Sequence, residues 1–209
     1  MKKASMTPAT ATITLPPLNL QTMHVTVVGD SPLICHAWSK KAKEAMLAKQ
    51  MKKARPAKEA KDPEADFKES LYPYPGGGHG FPAIAFKNAM VAACSQVEGI
   101  TKVMARGAFH VVGELVKIDG KPEKREDMVR VGMGTADIRF RGEFSEWRAT
   151  LAIQFNGNVL SAEQITNLLN TAGFACGVGE WRPERNGMMG RFHVASAEEA
   201  GEKRKGRAL

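Results

Sequence analysis

The chain predicts an α+β fold: a ferredoxin-like, RRM-like sandwich in which two helices cover one face of an antiparallel sheet. Three observations carry that reading. Short stretches of period-two apolar alternation mark strands, and two longer stretches with apolar residues at three-to-four spacing mark helices. Taken in order, and with one insertion set aside, they give βαββαβ. A hydrophobic content of 43% over 209 residues is enough to bury a proper core in one domain with a large insertion.

Residues 1–21, rich in Thr, Ala and Pro, read as a loose arm, and the domain proper runs over residues 22–195. The first strand is expected at 23–28, where Val25, Val27 and Val28 are β-branched and Gly29-Asp30 ends the run. A bent apolar segment follows at 31–34. Over residues 39–61 the character changes sharply. Lys40, Lys41, Lys43, Lys49, Lys52, Lys53, Arg55, Lys58 and Lys61 face only Glu44 and Glu59. Ala42, Ala45, Met46 and Leu47 favour helix in its first part, and Pro56 interrupts it. This basic insertion, bounded at 39–66, closes on the acidic run Asp62-Pro63-Glu64-Ala65-Asp66, expected as a solvated turn. Residues 72–80, two Tyr-Pro pairs and a glycine cluster, form a connector. A helix is expected over 83–97, with Ile84, Ala85, Met90, Val91 and Cys94 as its stripe and Lys87 projecting from its first turns. A strand over 109–118, a charged turn at 119–127 and short extended pieces at 128–131 and 138–141 precede the clearest strand, 148–155. There Ala149, Leu151, Ile153 and Phe155 alternate with polar or small neighbours. Ser161 with Gln164 forms a capping box for a helix over 162–171, whose core face is Ile165, Leu168 and Leu169. Residues 190–194 make the last strand, and 196–209 a disordered basic tail.

The stretch from 173 to 194 carries the strongest functional signal. Gly173, Gly177, Gly179, Gly187 and Gly190 stand there with Trp181, Arg182, Arg185 and Arg191. Glycine takes positive φ and lets backbone N–H groups approach a ligand, and arginine supplies planar donors for phosphate. A formal charge of +8 and a pI near 9.5 favour polyanionic partners. Cys35, Cys94 and Cys176 are widely spaced, without a CxxC pair, and read as free thiols of a reducing cytoplasm. The first residues hold no long apolar run, so neither a signal peptide nor a membrane anchor is expected. Neither GxxxxGK[ST] nor a strand-linked GxGxxG occurs, which excludes a phosphate-loop hydrolase, and ligand spacing supports no metal or other cofactor.

Two motifs carry a resemblance. Residues 80–90, Gly-Phe-Pro-Ala-Ile-Ala-Phe-Lys-Asn-Ala-Met, together with Gly177-Val-Gly-Glu-Trp-Arg-Pro and Gly190-Arg-Phe, resemble the RAMP superfamily of CRISPR effector proteins. Within it they are most similar to the repeated backbone subunits that coat guide RNA, here in the form of a phage or prophage relative. The resemblance spans about residues 22–194 and implies that the basic insertion is a thumb. It also implies that Lys87 and the loop arginines contact phosphate and that copies stack along the strand, each thumb overlapping the next. The expected function is a non-catalytic protein that binds single-stranded RNA or DNA and multimerises along it. Two alternatives stand beside it: a phage protein that mimics a backbone subunit and binds the effector complex or its guide, and a RAMP-type endoribonuclease. For the last, His36, His79, Asp62 and Asp66 are the candidate catalytic groups, while His24, His110 and His193 belong to strands.

Overall fold

A computed structural model describes residues 16–53, 60–131 and 134–200. In chain order the elements are β1 (Leu20–Gly29), β2 (Leu33–Cys35), α1 (Lys40–Gln50), α2 (Pro63–Ser70), β3 (Tyr72–Pro73), β4 (His79–Pro82), α3 (Ala83–Ala93), α4 (Lys102–Ala108), β5 (Phe109–Val111), β6 (Leu115–Asp119), β7 (Pro122–Val131), β8 (Thr135–Phe144), β9 (Arg148–Asn156), α5 (Ala162–Ala175) and β10 (Phe192–Val194). Strands β10-β1-β9-β5 form the antiparallel sheet of a ferredoxin-like sandwich, with α3 and α5 packed together on one face. Alternation decides which face is covered. Val25 and Val27 of β1, and Ala149, Leu151, Ile153 and Phe155 of β9, are all buried. Ile165, Leu168 and Leu169 of α5 and Phe86 and Met90 of α3 close over them. A run of edge-to-face aromatic contacts, Phe81–Phe86–Phe192–Trp147 at 5.8–6.2 Å between centroids, ties the helix layer to the loop end of the sheet.

The expected strand over 109–118 is split. Gly113 takes φ +98°, and the chain breaks between β5 and β6, which lie in series along β9. From β6 the sheet extends through β4 to β3. The charged stretch 122–127, expected as a turn, is instead half of a long hairpin, β7 with β8, that joins β2 in a separate three-stranded sheet. Its charges are paired: Arg141 Nη1 donates to Asp127 at 3.0 Å, and Arg125 donates to Asp127 and Glu143 at 2.8 and 3.1 Å. Nor is the acidic run a turn. Asp62 is the N-cap of α2, accepting from the N–H groups of Glu64 and Ala65, with Pro63 at the first helical position. Helix α4, capped by Thr101, is absent from the sequence reading because its apolar residues Val103 and Met104 are exposed rather than aligned on a buried stripe. Helix α5 runs on through Gly173, where an added Cβ would fall 1.8 Å from the Phe192 carbonyl oxygen, so the helix needs glycine there to meet β10.

The sheet's other face is open and polar, with Thr22, His24, Thr26, Thr150 and Gln154 upon it. One corner is covered by the turn that follows Ser196. His193 bridges Asp30 (2.6 Å) and Glu199 (3.2 Å), and Arg148 donates to the Glu199 carbonyl. This docked turn replaces the first part of the expected disordered tail; residues 201–209 lie outside the described residues. Partial burial works against a charged His193, but the hydrogen bonds and charges of Asp30 and Glu199 outweigh it and raise its pKa above 6.5. Ser196 first, then His193, hold Glu199 below 4.5. A raised histidine stabilises docking fully below 6.5 and loses that effect as pH rises through its folded value; the lowered carboxylate loses its effect only in acid. Amide exchange at Ala200, whose N–H donates to Ser196, should therefore quicken between about pH 6 and 8, beyond the intrinsic base-catalysed rise. In His193→Gln that extra step should vanish; its persistence would assign docking to other groups.

Cys35, Cys94 and Cys176 are free and buried, and burial pushes the Cys35 thiol up to about 12, which makes it inert as a nucleophile. Among the described residues no helix is long and apolar enough to cross a membrane.

Candidate nucleic-acid interface

The glycine loop packs against its own chain. Gly177 donates to Ala172, Val178 to Gly190, Glu180 to Ile34, Gly187 to Arg182, Met189 to Trp181 and Gly190 to Pro32. This corrects the expectation that the glycines serve to aim N–H groups at an anion. Their role is close backbone approach. A Cβ on Gly190 would lie 1.7 Å from the Val178 oxygen, one on Gly187 would lie 1.7 Å from the Trp181 oxygen, and one on Gly179 would lie 2.6 Å from the Ile34 oxygen. Arg182 belongs to the same internal order: Nε and Nη2 reach Glu184 at 2.9 and 2.8 Å, and Nη1 donates to the Gly179 carbonyl. Arg191 is half-buried, its N–H donating to the Ser31 hydroxyl. What the loop offers to solvent is Arg185 and Trp181, the latter 45% exposed and held at φ +55°, a conformation that costs a non-glycine residue about 1 kcal/mol or more.

The loop meets the start of α3 at a cleft of about 220 Å³ lined by His36, Tyr72, Ala85, Asn88, Glu180 and Arg182, among others. Lys87 is not among its lining residues. Helical spacing turns Ala85 and Asn88 toward the loop, while the Lys87 ammonium lies 3.0 Å from both the Arg106 carbonyl and His110 Nδ1. The structure therefore separates Lys87 from the loop arginines. His36 does enter the cleft, with Nδ1 3.3 Å from Glu180 Oε1, and Tyr72 donates to the His36 carbonyl. The His36 hydrogen bond lowers the Glu180 carboxyl pKa against the opposing effect of burial, aided by Arg141 and Arg182. The other catalytic candidates are dispersed. Asp62 caps α2, Asp66 lines a different cleft, and His79 sits on β4 edge-on to Phe144.

The basic insertion forms α1 and α2. Helix α2 seats on β8, where the Ser70 hydroxyl accepts from the Gly142 N–H at 2.7 Å. Helix α1 has no buried residue at all; Lys40, Lys41, Lys43 and Lys49 are exposed along it, and Lys52 and Lys53 follow in its terminal turn. Arg55 lies outside the described residues. Sequence reasoning missed Trp38, which stands just before the Ser39 N-cap, is 55% exposed and carries the Lys43 ammonium 5.5 Å from its ring centre. A large aromatic among lysines, outside any apolar periodicity, was the available signal.

No known family model and no curated protein matches the chain. Among solved structures it is similar to Cmr6 from Pyrococcus furiosus, with a TM-score of 0.45 and 11% identity over 86% of this chain and 100% of that one.

Proposed function

We propose that this protein is a non-catalytic, single-stranded nucleic-acid-binding protein, for RNA or DNA, that multimerises along its ligand. The observation that supports this reading most is α1, a helix that buries nothing and keeps its lysines in water. Lys40, Lys41 and Lys43 crowd its first turn, where the helix dipole already places positive charge and no acidic residue balances it. Stability argues against that placement, and a polyanion rewards it. Two exposed tryptophans, Trp38 and Trp181, add the flat surfaces on which unpaired bases stack, and Arg185 adds a cation beside the second. The open sheet face offers threonines and no comparable aromatic platform, so contact belongs to α1 and the loop tip. Met46, Leu47 and Met51 of the same helix region are exposed and give a neighbouring copy something to bury, consistent with stacking of thumbs as the RAMP resemblance implies.

The test is fluorescence anisotropy with single-stranded and duplex oligonucleotides across a salt series, with stoichiometry followed as length increases. Each phosphate contact on a single strand contributes about −0.7 to the log–log salt slope, so six contacts give roughly −4. A flat salt response, or equal affinity for duplex, refutes the reading, and one copy at every length refutes the multimer. The His36–Glu180 pair favours a second reading, the endoribonuclease, with His36 as the proton acceptor. The same samples run on a denaturing gel decide it. The non-catalytic reading requires intact RNA; metal-independent cleavage that His36→Ala abolishes would replace it.

A further inference from the structure

A second cleft, of about 410 Å³, opens at the root of α1. Strand β2 pairs with β8 only as far as Cys35 opposite Gly142; the next N–H, that of Ala37, turns away to the Ser70 carbonyl at the end of α2. The chain thus peels from β8 over residues 36–39, leaving a gap between that segment, α2 and residues 137–141 of β8. Its walls are of two kinds. Trp38, Ala42, Ile138 and Phe140 supply apolar surface. Asp66 and Glu69, one turn apart on α2, supply carboxylates with no ion pair among the described residues, whereas the third acid, Asp137, is held by Lys61 and Arg139. Arg141 also lines the cleft. It is 4% exposed, spends Nη1 on Asp127, and its buried Nε has no partner, an unusual state for a guanidinium.

We propose that this cleft takes one splayed-out base of the bound single strand, stacked on Trp38 and read by its edge; the inference rests on the function proposed above. The volume is that of a small-ligand site. An indole standing in water at its mouth suits a planar heteroaromatic ring. Carboxylates only accept hydrogen bonds, and the free guanidinium N–H only donates. A base that carries an amino group beside a ring acceptor, cytosine or adenine, satisfies both. Uracil and thymine instead turn O4 toward the carboxylates. Lys61 and Arg139 are already paired with Asp137, so the cleft reads the base, and the phosphates fall to α1.

The experiment compares oligo(C), oligo(A) and oligo(U) of one length, and free cytidine monophosphate, by anisotropy competition at fixed salt. We expect oligo(C) and oligo(A) to bind about tenfold more tightly than oligo(U). Trp38→Ala should lower affinity for the first two by about tenfold or more, and Asp66→Asn with Glu69→Gln should erase the preference without changing the salt slope. These side chains are half-buried or exposed, so the variants retain the fold, which a melting curve checks. Equal affinity for all three oligomers with a steep salt slope overturns the cleft and leaves the proposed function standing. No binding by any oligomer overturns both. Cytidine monophosphate competing as well as oligo(C) would make the cleft a free-nucleotide site and overturn the splayed-base assignment.

Discussion

Gly190→Ala should cost the protein about 3–5 kcal/mol of folding stability, a large share of what a domain of this kind has. Two penalties combine there. The residue sits at φ +66°, where an L side chain pays roughly 1 kcal/mol, and its new Cβ would lie 1.7 Å from the Val178 carbonyl oxygen. That oxygen cannot retreat cheaply, since Val178 N–H is already bonded to the Gly190 carbonyl and Gly190 N–H to Pro32. The loop would have to open, unseating Phe192 and Val178 from the core. Gly76→Ala is the matched control: φ is +88°, but nothing lies within 4 Å, so only the backbone term of about 1 kcal/mol remains. Urea unfolding of the two variants measures the difference. If Gly190→Ala falls within 1 kcal/mol of Gly76→Ala, the loop is a loose connection and its inward hydrogen bonding is not what shapes it.

The sandwich was legible because its signals are local. Alternation over β9, the β-branched run of β1 and the Ser161–Gln164 capping box each specify one element from adjacent residues, and the capping box forms with both of its hydrogen bonds. What was not legible depends on partners distant in sequence. The β7–β8 hairpin looks like a charged turn until Asp127 is seen between Arg125 and Arg141, a pairing that needs the register of two strands. The glycines were recognised as special, but spacing does not say whether positive φ serves a ligand or a neighbouring carbonyl; contact with Ile34, Val178 and Trp181 decides for the latter. Lys87 shows the same limit. Its position on α3 was right, yet a helix turns adjacent residues to different faces, so Ala85 and Asn88 reach the cleft and Lys87 reaches His110. Trp38 escaped notice because a lone aromatic outside any periodic run gives no element, only a surface.

The second large effect concerns α1, and its two readouts should move in opposite directions. Replacing Lys40, Lys41 and Lys43 together by Glu places acid in the first turn, where the helix dipole favours it, so thermal stability should hold or rise by a few tenths of a kcal/mol per site. The Lys40–Glu44 pair lost in the exchange is exposed and long at 3.9 Å, and contributes little. Binding should collapse. Three phosphate contacts account for about 2 units of the salt slope, which at 0.1 M salt corresponds to roughly a hundredfold in affinity before repulsion by the new carboxylates is counted. Replacing Lys203, Arg204 and Lys205 by Glu changes the net charge equally, from +8 to +2 (8 − 6), at positions outside the described residues. A loss confined to the α1 variant, with its melting temperature intact, would mean that these lysines are placed for a ligand at the expense of the helix that carries them. Equal losses from both variants would reduce the interaction to net charge, and a destabilised α1 variant would show that the lysines hold the fold after all.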